Sequence, residues 1–189
     1  MRKIVVMSAV LAACAAGAVL AGPASAADLV PKGPFVFTPA LYKGNTGACI
    51  RELVPYEGEP SGRLAGDGGC NSEGDKWTAQ KLDDGSLAFR NVELGDCLQW
   101  KEEKKTESSE NGDTHTGPGS PISRYVAGDC KTAAHLTVEA APKGAPKGAV
   151  VIKDGDFLLS GTQGTPVLDR VPLSYADALG YQWFIKPAP

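Results

Sequence analysis

"DGSLAFRNVELGDCLQW", residues 84–100, holds two short apolar runs around a turn and ends on a cysteine and an aromatic. Its reading decides the fold, because the same plan recurs elsewhere in the chain. Setting Gly85 beside Gly155 aligns "DDGSLAFRNVELGDCLQW" with "KDGDFLLSGTQGTPVLDR". Two residues after each glycine an apolar strand begins, at Leu87 or Phe157. Twelve residues after each comes a residue of buried type, Cys97 or Val167. An earlier copy stands at "PKGPFVFTPALYKGNTGACIRE", where Gly33, Phe35 and Cys49 fill these roles around a longer loop. The copies also close alike, on "DKWTAQK", "AHLTVEA" and "YQWFIKP". There Trp77, Leu136 and Trp183 are each followed two positions on by Ala79, Val138 or Ile185. A spacing of two puts both side chains on one face of a strand. Three copies closing on a large apolar residue predict one shared core with approximate three-fold symmetry.

The rest of the chain agrees with an all-β protein. Apolar residues come in short runs ("FVF", "LAF", "VVI", "FLL", "WFI") between Gly, Pro, Asn and Asp, the pattern of a sandwich or barrel. Frequent proline further limits long helices.

The N-terminus reads as a secretory signal. Arg2 and Lys3 precede an uncharged apolar run over residues 4–21, and Ala24-Ser25-Ala26 offers a cleavage site. A membrane anchor is the rival reading of such a run, and Cys14 within "LAAC" is a minor alternative site for a lipid anchor. The expectation is therefore a signal peptide over residues 1–26 and a secreted, extracellular single domain over residues 27–189. Its lobes fall at about 30–80, 81–141 and 150–187. Removing Arg2 and Lys3 from 19 basic residues, against 22 acidic ones, moves the net charge from −3 to −5. No basic field remains to attract a phosphate backbone, so nucleic acid is not expected as a partner.

Cleavage also removes Cys14 and leaves four cysteines, an even number that favours disulfides in an oxidising compartment. In the first copy Cys49 follows the turn and Cys70 precedes Trp77; in the second, Cys97 follows the turn and Cys130 precedes Leu136. Of three possible connectivities, pairing within each copy is the natural one: Cys49–Cys70 and Cys97–Cys130. The third copy has Val167 at the first cysteine position and must rely on packing.

Three copies of a turn, a cysteine, a second cysteine and a closing x-x-Trp resemble the ricin B-type β-trefoil, a family of secreted lectin domains, here read as a bacterial member. The resemblance covers about residues 30–187. It implies a six-stranded barrel capped by three hairpins, with one potential sugar site per lobe. In that family an Asp two residues after the first cysteine accepts sugar hydroxyls, an aromatic faces it, and an Asn precedes a Gln-x-Trp closing motif. Carried onto this chain, the Asp position holds Arg51, Gln99 and Asp169. The Gln position holds Asp75, Ala134 and Tyr181, and the Asn position Gly74, Ala133 and Gly180. The resemblance thus points to Asp169, with Tyr175 as platform, as the surviving carbohydrate site. Gln99 and Trp100 form a second candidate, although strand alternation points neighbours to opposite faces.

Catalysis has little to stand on. His115 lies in the charged, then Gly/Ser/Pro-rich stretch 101–121, read as a long flexible surface loop. His135 sits beside Leu136. No nucleophile elbow, paired-histidine zinc spacing or phosphate loop occurs. "KDGD", residues 153–156, reads as a hairpin turn rather than a calcium loop. "APKGAPKGA", residues 141–149, reads as a Pro/Lys/Gly linker. The expectation is a non-enzymatic chain without cofactor or metal, binding either carbohydrate or, if its sugar sites have decayed, a protein. In the latter case it could equally be one subunit of a toxin assembly.

Overall fold

Each short apolar run becomes a strand wherever turn residues bound it. The computed structural model describes residues 26–42, 49–55, 57, 62, 64–103, 122–161 and 168–189. The first copy supplies β1 (Phe35–Pro39), β2 (Cys49–Glu52), β3 (Leu64–Gly68) and β4 (Trp77–Lys81). The second supplies β5 (Leu87–Asn91), β6 (Cys97–Glu103), β7 (Ile122–Gly128) and β8 (Leu136–Ala140). The third supplies β9 (Val150–Asp154), β10 (Phe157–Gly161), β11 (Leu168–Pro172) and β12 (Trp183–Pro187). The helical pieces among these residues are single turns, such as Ala26–Leu29.

Antiparallel pairing runs from β1 to β4, β5, β8, β9 and β12 and back to β1, so six strands close into a barrel without an open edge. The other six pair as three hairpins, β2–β3, β6–β7 and β10–β11. Six barrel strands and three hairpins make the β-trefoil.

Register fixes the core. Phe35 pairs with Trp77, Leu87 with Leu136, and Val150 with Trp183. Two residues further along the opening strands stand Phe37, Phe89 and Ile152, all fully buried. Phe37 sits 5.5–5.7 Å from the rings of Trp77, Phe89 and Trp183, in tilted or edge-on contacts that suit aromatic quadrupoles.

This pairing corrects the register of the third copy. Val150, not Phe157, stands where Leu87 stands, so the glycine turn at 155 joins β9 to β10 inside a lobe. The turn at Gly85 instead joins β4 to β5 between lobes. The cysteine position moves with it. Cys97 pairs with Arg90, three residues past Leu87, and Leu158 pairs with Lys153, three past Val150. Cys49 and Cys97 lie opposite Gly68 and Gly128, two residues before Cys70 and Cys130. Leu158 lies opposite Val171, two residues before Leu173. Leu158 and Leu173 therefore occupy the third disulfide position, and Val167 lies outside the described residues. The two expected disulfides, Cys49–Cys70 and Cys97–Cys130, are present.

A second boundary also shifts. Lys101–Glu103 continue β6 and pair with Ile122–Arg124, so the stretch assigned to a loop from residue 101 begins as strand. Its remainder, with His115, lies outside the described residues, as do Cys14 and nearly all of the expected signal.

One buried polar group stands apart. Glu52, at the end of β2, is 2% exposed, and neither carboxylate oxygen meets a hydrogen-bond donor. Burial, and then the facing carboxylates of Asp96 and Glu93, push its pKa up from 4.5 to about 8. Protonation turns one oxygen into a donor toward Asp96. An acid whose folded-state pKa exceeds its unfolded value binds its proton more tightly when folded. That contribution to stability is complete below about pH 4.5 and is lost as pH climbs through 8.

Two outcomes follow. The melting temperature falls as pH rises from about 5 to about 9, and Glu52→Gln, which keeps the neutral shape, flattens that slope in a thermal-unfolding series. Cysteines placed at Leu158 and Leu173 oxidise to a third disulfide, seen by mass spectrometry of the thiol-blocked protein. Closing a loop of roughly 15 residues contributes about 3 kcal/mol in urea unfolding, offset in part by the lost burial of Leu158. A pair that stays reduced refutes the corrected register.

Candidate functional site

The third lobe differs from the others between its hairpin and its closing strand. After β11 the chain makes two short 3-10 turns, Leu173–Tyr175 and Leu179–Tyr181, before Trp183 enters the barrel. The buried Gln182 anchors this segment from beneath, its Nε2 donating to the Ala176 carbonyl at 3.1 Å. Above that anchor Tyr175 is 52% exposed, its ring edge-on to Tyr181 at 5.7 Å. Leu173 and Leu179 are also exposed, and Asp177 lies exposed in the turn between the tyrosines. The outcome is a fixed aromatic ridge facing solvent.

Asp169 is on β11, opposite Ser160, and partly exposed. Its Oδ1 accepts the backbone N–H of Arg170 at 2.7 Å. Asp169 stands three residues before the end of β11 at Pro172, and Tyr175 closes the 3-10 turn that follows. In the corrected register, the position two residues past the first cysteine holds Arg51, Gln99 and Ser160. Ser160 is buried.

Gln99 and Trp100 diverge, as strand alternation requires. Gln99 accepts from the Thr132 hydroxyl and lies flat on Gly128, where a Cβ would meet its Nε2 at 2.1 Å. Trp100 turns the other way, edge-on to Tyr125 at 5.1 Å, with the Arg170 guanidinium 4.3 Å from its ring centre. Sequence reasoning missed this junction of the second and third lobes. Arg170 pairs with Asp154, whose Oδ2 also accepts the Tyr125 hydroxyl at 2.7 Å. Burial is the main cause pushing the Tyr125 phenol above its ordinary range. No local pattern signals a cluster whose members lie as far apart as Trp100 and Arg170.

In the expected closing motifs, Asp75 caps its own turn by accepting from the Ser72 backbone and hydroxyl at 2.8 and 2.7 Å. The equivalent Ala134 uses only its backbone. His135 is exposed and reaches Asp84, which also accepts from Ser86. The Ser86 bonds, then His135, hold the Asp84 carboxyl well below its usual range. Serine and histidine share one carboxylate here, so the imidazole is not set to take the serine proton. Among the described residues no group of three or more His, Cys, Asp or Glu is placed to hold a metal ion. No helix there is long and apolar enough to cross a membrane.

The chain matches no protein-family model and no curated protein. Among solved structures it resembles a ricin B-like lectin of Macrolepiota procera in complex with lactose, at 16% identity and a TM-score of 0.53, covering 82% of this chain and 96% of the other. It also resembles a salivary protein from Culex quiquefasciatus of the Cysteine and Tryptophan-Rich family, at 15% identity and TM-score 0.49, covering 84% and 95%. A third is the designed three-fold symmetric protein ThreeFoil, at 11% identity and TM-score 0.48, covering 80% and 96%. The likeness to the lectin is one of fold: a β-trefoil over most of both chains.

Proposed function

We propose that this is a secreted, non-catalytic β-trefoil that binds carbohydrate through its third lobe. The observation carrying the reading is the exposed Tyr175–Tyr181 ridge, anchored by Gln182. A sugar ring presents an apolar C–H face that packs on such a platform, while its hydroxyls need a carboxylate or amide. Asp177, between the two tyrosines, is the nearest exposed carboxylate in the chain, and Asp169 on β11 is the second candidate. Two disulfides support an oxidising, extracellular setting.

A second reading has its own observation. The positions that carry the sugar-binding Asp in the resembled lectins hold Arg51, Gln99 and Ser160, and Gln99 is already engaged by Thr132. On that reading the trefoil has lost its sugar sites and binds a protein, alone or as a subunit of a toxin assembly.

A glycan array with the wild type, Tyr175→Ala, Asp169→Ala and Asp177→Ala separates the two. The first reading expects saturable binding to at least one glycan, weakened about tenfold by Tyr175→Ala, roughly 1.4 kcal/mol of ring contact. One of the two Asp variants weakens it comparably. A wild type that binds no glycan removes the carbohydrate reading.

A further inference from the structure

The repeat "APKGAPKGA" joins β8 to β9 and has no part in the ridge just described. It is built as two tandem tight turns. Ala145 N–H donates to the Pro142 carbonyl at 3.1 Å, and Ala149 N–H to the Pro146 carbonyl at 3.0 Å. Gly144 and Gly148, third in each turn, have φ of +102° and +80°, the left-handed conformation that a type II turn demands there. The Ala141 N–H then closes on the Ala149 carbonyl at 3.0 Å. A segment that composition alone reads as a linker is thus pinned at every turn, and each turn projects one lysine from its corner.

The second turn forms one wall of a groove. Pro146, Lys147 and Gly148 line it together with Ala40, Leu179, Phe184, Ile185 and Lys186. The groove holds about 580 Å³, within the range of small-molecule sites. Its walls are apolar except at two places: both polar side chains lining it are lysines, and no carboxylate lines it. Lys147 and Lys186 are exposed and make no ion pair among the described residues. The Lys186 ammonium lies over the Phe184 ring at 5.6 Å. On a chain whose net charge is −3, this is a local reversal of sign set on an apolar trough.

We infer that the groove binds a linear amphiphilic carboxylate, a free fatty acid in chemical class, with its chain along Leu179, Phe184 and Ile185 and its head group between Lys147 and Lys186. The apolar walls suit the tail through burial of methylene surface. The two lysines supply charge-assisted hydrogen bonds to the carboxylate. The proline and the closed turns hold Lys147 in place before the ligand arrives, which lowers the ordering cost of binding. The groove shares the Leu179–Tyr181 turn with the carbohydrate ridge, but neither tyrosine lines it.

Titration calorimetry with decanoate, kept below its micelle concentration, tests the assignment. The expected result is saturable one-to-one binding, weakened about five- to tenfold in the double variant Lys147→Gln/Lys186→Gln. Lys143→Gln, which alters the turn outside the groove, leaves the affinity unchanged. Leu179→Ser weakens binding through the wall, and each methylene removed from the acid weakens it by up to about fourfold. Decanol, with the same tail and no charge, binds more weakly than decanoate. Three results overturn the proposal: no binding of monomeric decanoate, equal affinity for decanol, or an affinity untouched by the double lysine variant. Binding to vesicles of anionic phospholipid without binding of monomeric decanoate also overturns it, and assigns the lysines to a membrane surface.

Discussion

A single buried carbonyl in each lobe ties the barrel to its cap, and the rest of the fold is arranged around satisfying it. It belongs to the residue just past the first cysteine position: Ile50, Leu98 or Leu159. In the first lobe the Trp77 indole N–H donates to Ile50 at 2.8 Å, and in the third Trp183 donates to Leu159 at 2.9 Å. The second lobe closes on Leu136, whose side chain has no donor, and there the backbone N–H of Ala134 reaches the Leu98 carbonyl at 2.8 Å. An unpaired carbonyl at this depth would cost about 1–3 kcal/mol. The two tryptophans thus serve as core filler and as the latch between layers. Room for the latch is made locally: a Cβ on Gly161 would meet the Trp183 ring at 2.7 Å.

The fold was largely legible in the sequence because this latch recurs. Closing residues of one size class, each preceded by a cysteine in the first two lobes, are signals that repeat at the scale of a whole lobe. The third lobe was harder, for a physical reason. Asp-Gly at 84–85 and at 154–155 encode the same kind of sharp reversal, since Gly85 and Gly155 both have positive φ. A turn signal is local, however, and does not report whether the reversal joins two lobes or lies within one. The clue was the run "VVIKD" ahead of the second Asp-Gly, an apolar strand for which that alignment had no counterpart. Its Val150 and Ile152 are buried in the barrel beside Trp183 and Phe37.

Sites were less legible than the frame. A residue-by-residue transfer of binding positions inherits any error in register, and a shift within one lobe exchanges the partly exposed Asp169 for the buried Ser160. Trp100 illustrates a different limit. With Gln99 it made the second carbohydrate candidate, whereas Arg170 from the next lobe occupies one face of the ring and is held there by Asp154. Contacts between lobes join residues that no periodicity relates, so they emerge only when the hairpins are packed.

The third lobe also shows how a repeat can divide labour. Its hairpin carries Leu158 and Leu173 where the other two lobes carry disulfides, and Leu173 is already partly exposed. Without a covalent link there, the chain from β11 to Trp183 is longer than its counterparts: Trp183 lies ten positions after Leu173, whereas Trp77 lies seven after Cys70. The Leu179–Tyr181 turn ends two residues before Trp183, as Glu73–Asp75 ends two before Trp77, so the extra length is taken up by the turn Leu173–Tyr175, with Gln182 holding the segment to the barrel from below. The insertion adds Tyr175 to the ridge, while the shared turn carries both Tyr181 of the ridge and Leu179 of the groove wall. Among the described residues, the tyrosine ridge and one wall of the groove both lie in the lobe without a disulfide, where no covalent link fixes the segment that leads to the closing tryptophan.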